Sequence, residues 1–230
     1  MPPVVLPGAS AAAFSSPQSP HAIAPSPVFF AAQEALLAAV AAGRLAPLPP
    51  PAVDAAVWQL EHLRLLVAHL NVLVGRLAAA GCTPTSCAVM ATGDVQYLCA
   101  SHPSPRECCA LDYAVHTLDA SSALLNSSTA YPSRLSVSPA GAAHFSPLSR
   151  RLYRVLSHAA RHHAAAFAPF EAETRCAGRL TALARAHGLL TEEQLLIPHA
   201  ELAGDAGVGE GGRQAAAAEA SAGRGESSAS

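Results

Sequence analysis

The sequence predicts an all-α fold, and three observations carry that expectation. Of 230 residues 51% are hydrophobic, but much of that total is alanine and only 5% are aromatic. A core must therefore be assembled from Leu, Val and Ala, which favours packed helices over a β-sandwich. Apolar residues recur at three- and four-residue intervals, the period of a helix with one buried face. Helix caps and breakers bound those stretches.

The elements follow in chain order. Residues 1–28 are rich in Pro, Ala and Ser with almost no charge, too poor in burial to offset the entropy of ordering. An Ala/Leu stretch from Phe29 to Leu45 predicts a short helix, stopped by Pro47, Pro49, Pro50 and Pro51, which mark a linker. Asp54 is a candidate N-cap for a helix to Ala80, in which Leu60, Leu63, Val67, Leu70, Val74 and Leu77 share a face and Gly81 marks the end. Val95 to Cys99 suggests a short strand. A second long helix is expected from Leu111 to Leu125. A third is expected from Ser146-Pro147, a cap followed by proline at the first helical position, to Phe167. A fourth spans Glu171 to His187, with Gly188 as its C-terminal cap and Thr191 and Gln194 at capping-box spacing for a short last turn. The expected organisation is a leader over 1–52, a folded domain over 53–203 and a Gly/Ala/Ser tail over 204–230.

Charge and targeting signals narrow the function classes. Net charge is −2, which gives no bulk attraction to nucleic acid or anionic membrane. All 14 basic residues are arginine, so any bound anion meets guanidinium forks. The first of them is Arg44, which leaves the apolar opening without the basic start of a signal or transit peptide. No apolar run reaches the length of a membrane-spanning helix. These features predict a cytoplasmic protein, in which six cysteines serve as thiols or metal ligands rather than disulfides.

Cys82 and Cys87 sit just past the first long helix, while His158, His162 and His163 lie on the third. Two thiols and two imidazoles suit tetrahedral zinc, here clipping a loop to a helix. On a regular helix His158 and His162 lie about 40° apart, and His158 and His163 about 140°. Helix geometry thus favours His162 and leaves the fourth ligand open; thiols buried as small hydrophobes beside solvated histidines are the alternative. The two-histidine spacing also matches a zinc hydrolase, but Ala159 occupies the position of the catalytic glutamate and two cysteines close the coordination sphere.

Arg150, Arg151 and Arg154 fall within one 100° arc of the third helix, opposite Leu148, Leu152, Val155 and Leu156. Three guanidinium groups on one face repel one another unless a phosphate or acidic partner neutralises them. Between Arg150 and Arg185 only Glu171 and Glu173 supply carboxylates. Duplex nucleic acid fits poorly, because the patch is short and has little aromatic interleaving. Cys108, Cys109, Asp112, Tyr113 and His116 could pair a nucleophile with a base, but their spacing suits core or loop packing. The sequence has no Gly-rich phosphate loop, nucleophile elbow or kinase signature.

Several motifs together resemble the Mob/phocein family, and within it the phocein branch, over about Val57 to Leu202. They are Val57-Trp58, Glu61-His62-Leu63-Arg64, Cys82-x4-Cys87, Leu98-Cys99-Ala100, Asp112-Tyr113, His116-Thr117-Leu118-Asp119, Leu124-Leu125-Asn126-Ser127, Tyr131-Pro132-Ser133-Arg134, Arg150-Arg151-Leu152-Tyr153-Arg154 and Ser157-His158. The resemblance implies a four-helix-bundle core with flanking short helices, one structural Zn2+ and no catalytic activity. It also implies an adaptor in striatin-type scaffolds that join a type 2A phosphatase to germinal-centre kinases. Other Mob proteins co-activate NDR/LATS-type kinases of the Hippo pathway directly. Matched motif to motif, the zinc ligands fall on Cys82, Cys87, His158 and His163, and the phosphopeptide pocket on Arg150, Arg151 and Arg154. The choice of His163 requires a distortion or helix end near the site. A protein of this type reaches endomembranes only through partners. The family's acidic stretch before the Trp58 position is replaced here by Pro49-Pro50-Pro51-Ala52-Val53-Asp54.

Overall fold

A computed structural model describes residues 27–202; the expectations for the first 26 residues and for the tail lie outside the described residues. The fold is mostly helical with one small two-stranded sheet. In order, the helices are α1 (Pro27–Ala41), α2 (Ala55–Ala79), α3 (Ala110–Leu125), α4 (Pro139–Ala142), α5 (Phe145–His162), α6 (Ala164–Thr174) and α7 (Cys176–His187). Two short strands, β1 (Ala91–Thr92) and β2 (Val95–Gln96), pair antiparallel between α2 and α3.

Helix α2 is the axis, and α1, α3, α5, α6 and α7 all pack against it. Its 25 residues bury Trp58, Leu60, Leu63, Leu66, Leu70, Leu73 and Leu77 almost completely, more than a single stripe, as an element surrounded by neighbours requires. Asp54 caps it as expected, its carboxylate accepting from the Ala56 and Val57 N–H groups at 2.9 Å each. Gly81 leaves the helix with φ +80°, a conformation glycine adopts at no steric cost. Helix α3 ends at Asn126, and the turn after α7 has Gly188 at φ +63° and the Thr191–Gln194 capping box.

Packing extends ahead of residue 53. Ala32, Leu36 and Ala39 of α1 are buried, and the proline segment lies along α2. There the Ala46 carbonyl accepts from Trp58 Nε1 at 3.1 Å and sits 3.0 Å from His62 Nε2, while the Pro47 carbonyl meets His187 Nε2 at 2.9 Å.

The expected third and fourth helices are divided differently. The Ser-Pro cap expected at Ser146-Pro147 occurs at Ser138-Pro139, which starts α4, with Ser138 Oγ accepting from Gly141 N at 3.1 Å. Ser146 lies inside α5 and donates to the Leu189 carbonyl at 2.8 Å. Helix α5 stops at His162, and His163 at φ −136°, ψ 47° separates it from α6. Arg175, left-handed at φ 50°, separates α6 from α7. At that junction the buried Glu171 carboxylate accepts from the Ala177 and Gly178 N–H groups at 2.8 and 2.9 Å, satisfying the first turn of α7. Among the described residues no helix is long and apolar enough to cross a membrane.

Candidate metal centre

The segment after α2 is a turn built to present two thiols. Thr83 and Ser86 interlock: Thr83 N–H donates to Ser86 Oγ at 2.9 Å, Ser86 N–H to Thr83 Oγ1 at 3.2 Å, and Ser86 Oγ–H to the Gly81 carbonyl at 2.6 Å. The Cys87 N–H closes the turn on the Thr83 carbonyl at 2.8 Å. Cys82 is buried and Cys87 half-buried.

The imidazoles come from the end of α5. His158 Nδ1 lies 3.0 Å from the Ala91 carbonyl of β1; a carbonyl only accepts, so Nδ1 carries the proton and Nε2 is free to bind a cation. That Nε2 faces Cys82 Sγ at 3.7 Å, and His163 Nε2 lies 3.4 Å from Cys87 Sγ. The four donor atoms of Cys82, Cys87, His158 and His163 lie within 4.8 Å of one another. Zinc bonds of about 2.3 Å to sulfur and 2.0–2.1 Å to nitrogen place tetrahedral ligands roughly 3.4–3.8 Å apart, so the residues present fit such an ion.

His162, favoured by regular helix geometry, stays exposed, its ring centroid 4.8 Å from that of His158 and tilted 32° to it. Because α5 ends there, the turn at His163 swings that ring inward. Burial and the neighbouring Cys87 thiol push Cys82 up to about 12, and burial lowers His158 and His163. Neutral imidazole is the form that coordinates, and a thiolate forms here when a cation supplies the compensating charge. Among the described residues the cluster contains no carboxylate, and the position next to His158 is held by the buried Ala159.

On the outer face of α5, Arg150 is exposed and Arg151 and Arg154 half-buried. Arg154 is held in place: its guanidinium stacks 4.2 Å from the Tyr97 ring centroid and donates to Tyr113 Oη at 3.2 Å. Arg151 Nε donates to the Pro147 carbonyl. Among the described residues the salt bridges are Arg64–Glu61, Arg76–Glu173 and Arg185–Glu192. Glu173 is thus engaged elsewhere and Glu171 caps α7, so neither neutralises the trio.

Cys109 caps α3, its sulfur accepting from the Asp112 N–H at 3.3 Å. Cys108 and His116 do not join it. They converge with Cys99 and His102 into a second four-residue group, again with donor atoms within 4.8 Å, which the sequence reading missed. The signal available was the spacing Cys99-x2-His102 followed by Cys108-x7-His116.

Known proteins are similar to this chain over most of the described region. The pattern of the Mob1/phocein family matches residues 41–198. MOB kinase activator-like 4 of Drosophila melanogaster is 42% identical over 150 residues, 65% of this chain and 67% of that protein. MOB-like protein phocein of Caenorhabditis elegans is 40% identical over 151 residues, with the same coverage of 65% and 67%.

Proposed function

The chain belongs to the Mob1/phocein family, and from that premise we propose that it is a non-catalytic adaptor of kinase and phosphatase signalling assemblies. It docks phosphorylated or acidic partner segments on Arg150, Arg151 and Arg154. One structural zinc on Cys82, Cys87, His158 and His163 stabilises a four-helix core of α2, α3, α5 and α7, tying the end of α2 to the α5–α6 junction and leaving no open position for water. The partners are a striatin-type scaffold, a type 2A phosphatase assembly and germinal-centre or NDR-type kinases, and the protein works in the cytoplasm.

The observation that carries this reading is the unpaired guanidinium face. Arg154 is oriented by Tyr97 and Tyr113, so little side-chain entropy is lost when it grips an anion. Arg150 and Arg151 flank it, and neither is in a salt bridge among the described residues. Direct kinase co-activation through an acidic surface before Trp58 is less supported. Asp54 is the acidic residue of the 49–54 segment, and its carboxylate caps α2.

The test is binding of a phosphothreonine peptide with acidic flanks, against its unphosphorylated form. Each charge-assisted contact is worth about 1.5–3 kcal/mol, so Arg150→Ala with Arg151→Ala weakens the phosphopeptide at least about tenfold while the helical circular dichroism stays unchanged. Equal binding of both peptides by the wild type, or full affinity in the double variant, overturns the pocket.

A further inference from the structure

We propose that the arginine face of α5 has a second anion position at Arg161, which makes its ligand a partner segment phosphorylated twice, three to four residues apart. This second position rests on the phosphopeptide reading of Arg150, Arg151 and Arg154, and specifies the ligand of that same face. Helix α5 is unbroken from Phe145 to His162. At 100° per residue, Arg154 and Arg161 stand about 40° and about 20° round from Arg150. The basic stripe thus continues two turns beyond Arg154, while Val155, Leu156, Ser157, His158 and Ala159 between them are buried. Arg161 is exposed. Among the described residues neither Arg161 nor Asp94, the acid of the neighbouring hairpin turn, is in a salt bridge.

The β1–β2 hairpin touches both ends of this stripe. It is fastened to α5 by the packing of β1 on the helix and by the hydrogen bond from His158 Nδ1 to the Ala91 carbonyl. At one end the Tyr97 ring carries the Arg154 guanidinium. At the other, Gly93 turns with φ +59°, and a Cβ there would stand 3.5 Å from Arg161 Nη2. The Arg161 guanidinium therefore lies against bare backbone. Val95, midway between Gly93 and Tyr97, is exposed.

Two lengths agree on the spacing of the ligand. Helix rise puts Arg161 about 10.5 Å along the axis from Arg154 and about 16.5 Å from Arg150. Extended chain advances about 3.3–3.6 Å per residue, so a phosphate shared by the trio and one held by Arg161 belong to residues three to four apart. The hairpin positions that touch Arg154 and Arg161, Tyr97 and Gly93, are themselves separated by four residues. Phosphate is the group that suits the second position, because it meets a guanidinium through paired, charge-assisted hydrogen bonds. A lone carboxylate at so exposed an arginine adds little.

The test is binding of three synthetic peptides of one composition to the full chain. One has a single phosphothreonine, one has two placed four residues apart, and one has two placed nine residues apart. The four-residue spacing is expected to bind about five- to tenfold tighter than the single phosphopeptide. The nine-residue spacing, with its longer flexible link, gains about threefold or less. In Arg161→Gln the ratio between the four-residue and single peptides falls to about one, with the helical circular dichroism unchanged. Equal gains at both spacings, the mark of bulk charge attraction, overturn the second position, and so does a gain that survives Arg161→Gln; either leaves the trio in place. Equal binding of the single phosphopeptide and its unphosphorylated form overturns the trio and the second position together.

Discussion

One residue step separates His162 from His163, and the distinction is set by where a helix ends. In an unbroken α5 the ring at 162 would lie nearest that of His158; at φ −136° His163 leaves the helix and brings its Nε2 to 3.4 Å from Cys87. His163→Ala is therefore expected to lose the zinc proposed on this cluster and lower the thermal midpoint, while His162→Ala, at an exposed position, keeps it. Structural zinc contributes on the order of 10 kcal/mol in small domains and less where a hydrophobic core shares the load. Zinc analysis and a melting curve on the two variants decide the matter, and equal metal loss in both would remove the helix end as the determinant. The residue types of this cluster were readable from spacing and resemblance. The choice of fourth ligand was not readable from helical periodicity, because a cap without a side-chain signature ends α5.

Among the elements, α2 and α3 were legible because each has a periodic apolar face and a cap written in the sequence. The α6–α7 junction was not. No glycine or proline stands at Arg175, which takes a left-handed conformation that costs a non-glycine residue about 1–2 kcal/mol. What offsets it is Glu171, whose carboxylate reaches across the break to the Ala177 and Gly178 N–H groups. Gly178 allows the approach: a Cβ there would stand 3.3 Å from both Glu171 Oε1 and Leu45 Cδ2. Glu171→Ala strands those buried donors and is expected to lower stability by about 1–3 kcal/mol, read as a fall in the urea midpoint with zinc content intact. A change below a few tenths of a kcal/mol would mean the junction is held by packing alone. The loop over residues 93–107 was equally opaque to periodicity, since its few buried atoms are thiol and imidazole rather than a hydrophobic pattern.

For the molecule as a whole, stability is tied to pH through histidines far from either cluster. His62 and His69 on α2 are both lowered to about 4, by burial first and then by the Arg179 guanidinium. Arg179 is itself fully buried and donates to His69 Nδ1 at 2.5 Å, an acceptor that exists only while His69 is neutral. In the unfolded chain both imidazoles protonate near 6.5. Between that value and about 4 the unfolded state therefore binds more protons than the native one, and the unfolding free energy rises with pH. The contribution is complete above 6.5 and is lost as the pH falls through the window. Urea midpoints should drop from pH 7.5 to pH 5. Loss of the proposed zinc from its histidine ligands would add to this fall, so the diagnostic is the gap between wild type and His69→Gln, in which the amide oxygen still accepts from Arg179. That gap should shrink as the pH falls, because the variant has one proton fewer to gain on unfolding, a difference in slope of at most about 1.4 kcal/mol per pH unit. Parallel profiles would show that His69 charges freely in the folded protein and that Arg179 is neutralised by another route.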